Sequence, residues 1–179
     1  MQWRPAATLA LIPVAALIAP ALAHAKIYVS VEETQQRLFP GQKLALNPVA
    51  PTDAQREKMR ELPSVREPFR GERVWKTAGG DWFIVDEVVG KHEMVKYALA
   101  INADGTIKGI EIMEYVESYG YEVGEAGWRN QFVGKTGDST LKLNKDITNI
   151  SGATLSCKHL TDGVKRLMVM HDLVLKGSK

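Results

Sequence analysis

The run from Trp82 to Tyr115 constrains this chain most. Trp82 to Val89 is a block of β-branched and aromatic residues, the composition of a strand. From Glu93 to Asn102 the sequence alternates, with Val95, Tyr97, Leu99 and Ile101 set against Met94, Lys96, Ala98 and Ala100. A period of two puts the first four on one face of a strand and the second four on the other. Asp104-Gly105 follows, a pair suited to a tight hairpin. Thr106 to Tyr115 then returns, with Ile110 and Ile112 on one face and Glu111 and Met113 on the other. Arg73 to Thr77, followed by Gly79-Gly80, adds a strand before the block. The pattern predicts an antiparallel meander of three or four strands that forms one wall of a core.

The cover for that wall is written at the other end of the chain. Thr154 to Leu175 is the longest helical segment, and Leu160, Val164, Leu167 and His171 follow a 4-3-4 spacing with Met168 beside them. Shorter helices are expected earlier. One runs over 29–38, with Ser30 and Glu33 at capping-box spacing and Phe39-Pro40-Gly41 to stop it. Another runs from Asp53 to Leu62 behind Thr52 and Gln55, ending near Pro63, and Leu44 to Pro51 between them reads as extended. A short helix over 124–131 would bring Trp128 and Phe132 onto one face. Strands followed by helices define an α+β domain: an antiparallel β-meander packed against a long C-terminal helix, with short N-terminal helices.

A length of 179 residues fits one domain after a leader. Residues 1–25 read as a secretory signal peptide: Arg4 gives the positive start, 6–22 is uncharged and apolar, and Ala23-His24-Ala25 fits the cleavage pattern. Residues 26–179 would then be the single mature domain, periplasmic or otherwise exported. A retained N-terminal membrane anchor is the alternative, because the stretch approaches spanning length. Without Arg4 the balance is 22 basic to 21 acidic residues, which gives no basic patch for nucleic acid. Cys157 is the single cysteine, so an internal disulfide, a c-type haem motif and a cysteine-held cluster are all excluded. No metal site is expected.

Chemistry concentrates where the last helix begins, in Asp146-Ile147-Thr148-Asn149-Ile150-Ser151-Gly152-Ala153-Thr154-Leu155-Ser156. The first N–H groups of a helix lack intrahelical partners, and its dipole places partial positive charge there. Such an end accepts an anionic oxygen group, above all a phosphate, although Ser and Thr at this position also serve as ordinary caps. Ser151 and Ser156 offer hydroxyls, and Gly152 and Ala153 keep the approach free of bulk. Asp146 has the bland option of bonding to nearby loop backbone.

Ser151-Gly152-Ala153-Thr154 resembles the flavin-attachment motif of the FMN-binding domain family, which includes the flavin-carrying subunits of Rnf-type and sodium-pumping NADH:quinone oxidoreductase complexes. The resemblance implies that Thr154 carries FMN through a phosphoester, with Ser151, Gly152, Ala153 and Ser156 around the phosphate. It implies that Asp146 is part of the signal read by a flavin transferase, which uses FAD and a divalent metal. It places the segment Tyr115 to Gly124 beside the flavin, with Glu117, Tyr119 and Gly120 foremost, although the proline usual in such segments is missing. It also covers Trp128 with Gln131-Phe132-Val133-Gly134-Lys135, where Trp128 would pack near the ring system or simply in the core. Lys135 would offset phosphate charge or lie exposed.

Gly90-Lys91-His92-Glu93 puts a His beside a Glu, but in a strand-to-strand turn without a second His, so a structural role is the expectation. His159 and His171 are expected at the surface and core edge, and Cys157 as a buried thiol. No Ser-His-Asp or Cys-His-Asp arrangement, nicotinamide fingerprint or Walker loop is present, and no catalytic residue is assigned. The reading is an exported flavoprotein electron carrier with covalent FMN rather than a free-standing enzyme. Its partners would be a flavin transferase for maturation and a redox protein at the membrane. The alternative is a non-redox binding or assembly module that holds an anionic ligand at the helix start.

Overall fold

The meander is the centre of a six-stranded antiparallel sheet in the order β1-β6-β5-β4-β3-β2. A computed structural model describes residues 26–61, 65 and 67–177; the expected leader at 1–25 and the end of the second helix at 62–63 lie outside these. The strands are β1 (Ile27–Tyr28), β2 (Leu44–Leu46), β3 (Val74–Thr77), β4 (Trp82–Val89), β5 (Met94–Ile101) and β6 (Ile107–Tyr115). The three long central strands fall where alternation and turn residues predict them. Leu99 faces Ile84 on one side and Ile110 on the other, so the apolar positions of neighbouring strands fall in register. The two additional strands are the edges. A pair of residues at Ile27–Tyr28 has no period to read; it forms because it lies alongside Tyr115 and Glu114 of β6.

Helices cover both faces. The regular helices are α1 (Val31–Leu38), α2 (Asp53–Met59), α3 (Ala126–Arg129) and α4 (Thr154–Met170). Val95, Tyr97, Leu99, Ile101, Ile110 and Ile112 share one core with Leu160, Val164, Leu167 and Met168 of α4. Each such side chain taken from water contributes about 1.5–3 kcal/mol, so this stripe is the main reason α4 docks. Phe83, Val85, Ala98, Ala100 and Met113 form a second core on the opposite face, with Phe39 just after α1 and Val31 and Leu38 packed against it.

Both early helices are capped as their spacing predicts. Ser30 Oγ accepts from the Glu33 N–H at 3.0 Å, and Thr52 and Gln55 close both arms of a capping box. The segment expected as one helix over 124–131 is instead three short pieces: a 3-10 turn at Tyr121–Gly124, then α3, then a 3-10 turn at Asn130–Phe132. Gly120, with φ +84°, starts the first piece, and Glu125 interrupts it in an extended conformation. The last helix reaches Leu175 as expected, but its final turn, His171–Leu175, is a wider π-turn closed by the Lys176 N–H on the His171 carbonyl at 2.8 Å.

One polar cluster is sealed inside. Arg166 of α4 reaches β4, where its guanidinium lies 2.5 Å from Asp86 Oδ2, and the Tyr97 hydroxyl donates to the same oxygen at 2.9 Å. A second guanidinium nitrogen of Arg166 donates to the Glu67 carbonyl at 2.5 Å. Gly163 lets the helix lie this close, since a Cβ there would stand 2.6 Å from the Tyr97 hydroxyl.

Candidate functional site

A cleft of about 300 Å³ opens at the pole where β4 ends, β5 begins and α4 starts. Its floor is the segment Gly152 to Ser156, one wall is Glu117 to Tyr119, and the far wall is the turn carrying Lys91 and His92.

The floor is an open helix start. α4 has Ala153 at its N-cap, which supplies no side-chain bond, whereas α1 and α2 are both capped by hydroxyls. The first intrahelical donor is the Cys157 N–H, on the Ala153 carbonyl at 2.9 Å. The N–H groups of Thr154, Leu155 and Ser156 precede it and have no turn of helix behind them to accept their protons. Thr154 is exposed, and its hydroxyl accepts from Asn149 Nδ2 at 2.9 Å. Ser151 is also exposed, while Ser156 is buried with its hydroxyl 3.4 Å from the Tyr115 hydroxyl. Gly152 adopts φ +83° with open space where a Cβ would stand, so the turn into the helix is left-handed and unobstructed.

The near wall is locked to this floor. Gly120 has φ +84°, and a Cβ there would run into the Ala153 side chain. The Tyr115 hydroxyl, which leans over the helix start, donates to the Tyr119 carbonyl at 2.6 Å. Tyr119 itself stands 69% exposed at the cleft, the most exposed large hydrophobic side chain among the described residues.

Glu117 reaches across to the far wall. Its Oε1 accepts from the backbone N–H groups of Lys91, His92 and Glu93 at 2.5, 2.6 and 3.1 Å. Partial burial alone would raise this carboxyl, but the three N–H bonds outweigh it and hold Glu117 below its ordinary range. Gly90 is required here because a Cβ would stand 2.5 Å from the same oxygen. Lys91 and His92 were expected to be structural residues of a turn. The fold brings them to the cleft, and a Glu 24 to 26 positions distant holds them there. No local sequence signal marks that approach.

Asp146 and Trp128 take other places, outside the cleft lining. Asp146 accepts from the Lys142 and Leu141 N–H groups at 2.7 and 3.0 Å and lies 3.2 Å from Lys135 Nζ. Burial would raise its carboxyl, but these donors together hold it low. Trp128 is buried, edge-on to Phe132 at 5.1 Å, and its indole N–H donates to the Thr148 carbonyl at 2.8 Å. Gln131 Oε1 accepts from the N–H of the same Thr148 at 2.7 Å. Trp128, Gln131 and Lys135 therefore grip 146–148, the strand of chain that delivers the helix start to the cleft. Cys157 is fully buried, and burial pushes its thiol up, so it stays protonated. His159 lies against the Val89 carbonyl at 2.7 Å, and His171 is buried at the other end of α4. Among the described residues no group of three or more His, Cys, Asp or Glu side chains could hold a metal ion.

The floor and walls form an open cleft over an uncapped helix start, built on an α+β frame. Residues 90–169 match the family model of the FMN-binding domain, consistent with an FMN-binding domain family. All the residues that line the cleft fall inside the matched stretch. The chain matches none of the curated proteins. The residues present fit FMN: partnerless N–H groups for the phosphate, an exposed hydroxyl beside them, and an aromatic side chain at the rim.

Proposed function

We propose that this protein is an exported electron carrier whose FMN is joined through its phosphate to the Thr154 hydroxyl. The observation that carries this reading is the exposed Thr154 hydroxyl at the uncapped start of α4, on the floor of the cleft. A flavin transferase would move FMN from FAD to that hydroxyl. The new bond joins the Thr154 oxygen to the FMN phosphorus, AMP leaves, and the hydroxyl proton goes to solvent. Unpaired N–H groups of Leu155 and Ser156 would meet the negative oxygens of the phosphodiester. FMN supplies one- and two-electron chemistry when bound, and the protein holds, orients and tunes it. The apolar, uncharged stretch 6–22 behind Arg4 supports export, and a covalent bond would keep the cofactor where lost flavin is not replaced. The acceptor or donor would be a redox protein at the membrane.

Coexpression of the full chain with a flavin transferase tests this. A fluorescent band should survive a denaturing gel, with the intact mass raised by one FMN unit less water. Thr154→Val should abolish the band while the far-ultraviolet circular dichroism is unchanged. Flavin retained by Thr154→Val refutes the attachment site. A colourless wild type of unmodified mass favours a non-redox module that uses the same helix start for an anion.

A further inference from the structure

We propose that the turn carrying Lys91 and His92, latched by Glu117, is the charged wall of the flavin site and favours the reduced ring. This rests on attachment at Thr154. Three observations carry it. Lys91 and His92 face the same cleft as Thr154 and Tyr119. Among the described residues neither side chain takes part in a salt bridge, unlike Lys96 and Lys108 on the nearby strands, which pair with Glu114 and Asp81. The turn that bears them is held by three consecutive backbone bonds to one carboxylate oxygen, so its place is set before any ligand arrives.

The chemistry follows from charge. Two-electron reduction with uptake of one proton from solvent leaves one negative charge on an isoalloxazine ring at neutral pH. A cation beside the pyrimidine end stabilises that charge and leaves the neutral oxidised ring almost unaffected, so it raises the reduction potential. Lys91 supplies a full charge, and His92 supplies a ring N–H donor with partial positive charge. Glu117 is a positioning residue here: it acts through the turn, and its own charge opposes the effect.

The test is a reductive titration of the flavin-loaded full chain with dithionite, against an indicator dye of known potential. Lys91→Ala should shift the reduction equilibrium about threefold toward the oxidised ring. Lys91→Glu, which reverses the charge, should shift it about tenfold, or ~30 mV more negative for a two-electron couple. His92→Ala should move it in the same direction. Glu117 separates position from charge by sign. Glu117→Gln keeps an acceptor for the turn and removes a negative charge, so the potential should rise. Glu117→Ala releases the turn, so the potential should fall although a negative charge has gone.

Potentials unmoved in both Lys91 variants overturn the proposal and leave attachment at Thr154 standing. A rise in both Glu117 variants overturns the positioning role. Wild-type protein that carries no covalent flavin after coexpression overturns the attachment and this proposal together.

Discussion

Asn149 shows how much one side chain decides at the acceptor. Its amide nitrogen donates to the Thr154 hydroxyl at 2.9 Å, and this is what orients the oxygen at the cleft floor. The hydrogen bond leaves the hydroxyl proton pointing away and a lone pair engaged. On the attachment reading, Asn149→Ala frees the hydroxyl to rotate, and the fraction of chains carrying flavin at a fixed coexpression time should drop about threefold to tenfold. Thr154→Ser should keep a measurable fraction, because it retains an oxygen at the same position. Intact mass on both variants reads the outcome, and equal flavin loading of Asn149→Ala and wild type would remove Asn149 from the site. The Ser-Gly-Ala-Thr motif was visible in the sequence as a helix start. What Asn149 and Lys91 do there was not, because their roles depend on where the chain folds back, and no local pattern encodes that.

The grip on Thr148 belongs to the scale of elements. Trp128 holds its carbonyl and Gln131 holds its N–H, so two short helical pieces clamp the peptides on both sides of one residue. Removing the acceptor in Gln131→Ala should loosen the segment by about 1 kcal/mol. That corresponds to about fivefold faster hydrogen exchange at the Thr148 amide, with β5 amides unchanged. Equal exchange in the variant would show that other contacts carry the segment. The aromatic spacing of Trp128 and Phe132 was legible as a shared face, and the T-shaped pair confirms it. The broken helix was not legible, because Glu125 interrupts it through extended backbone inside a stretch with no turn signature of its own. The central strands and α4 were legible for the opposite reason. Each is long enough for its period to repeat, and the periods agree across the core they share.

Across the whole molecule, the ion pair of Arg166 and Asp86 ties α4, β4, β5 and the segment around Glu67 together. Both side chains are nearly inaccessible, with 4% and 3% of their surface exposed. Arg166→Met leaves Asp86 buried opposite an apolar chain, and the loss should be about 3–5 kcal/mol in chemical denaturation. The double variant with Asp86→Leu should recover much of it, because no lone charge remains. A single variant as stable as wild type would show that the pair adds nothing. The pair joins elements 80 positions apart and has no local signature, so it could not be read from sequence.

The chain's two described ends leave from opposite poles. Ile27 pairs with Tyr115 at the end of β6 that leads into the cleft wall, whereas Leu175 closes the π-turn near Gly105, whose Cβ position lies 3.4 Å from His171. The described amino end therefore leaves at the pole of the cleft, the pole that a large protein must approach to reach Thr154. Anything fused after Gly177 stands a full strand length away. For immobilising this molecule on an electrode or a bead, the carboxyl end is the handle that leaves the cleft facing outward.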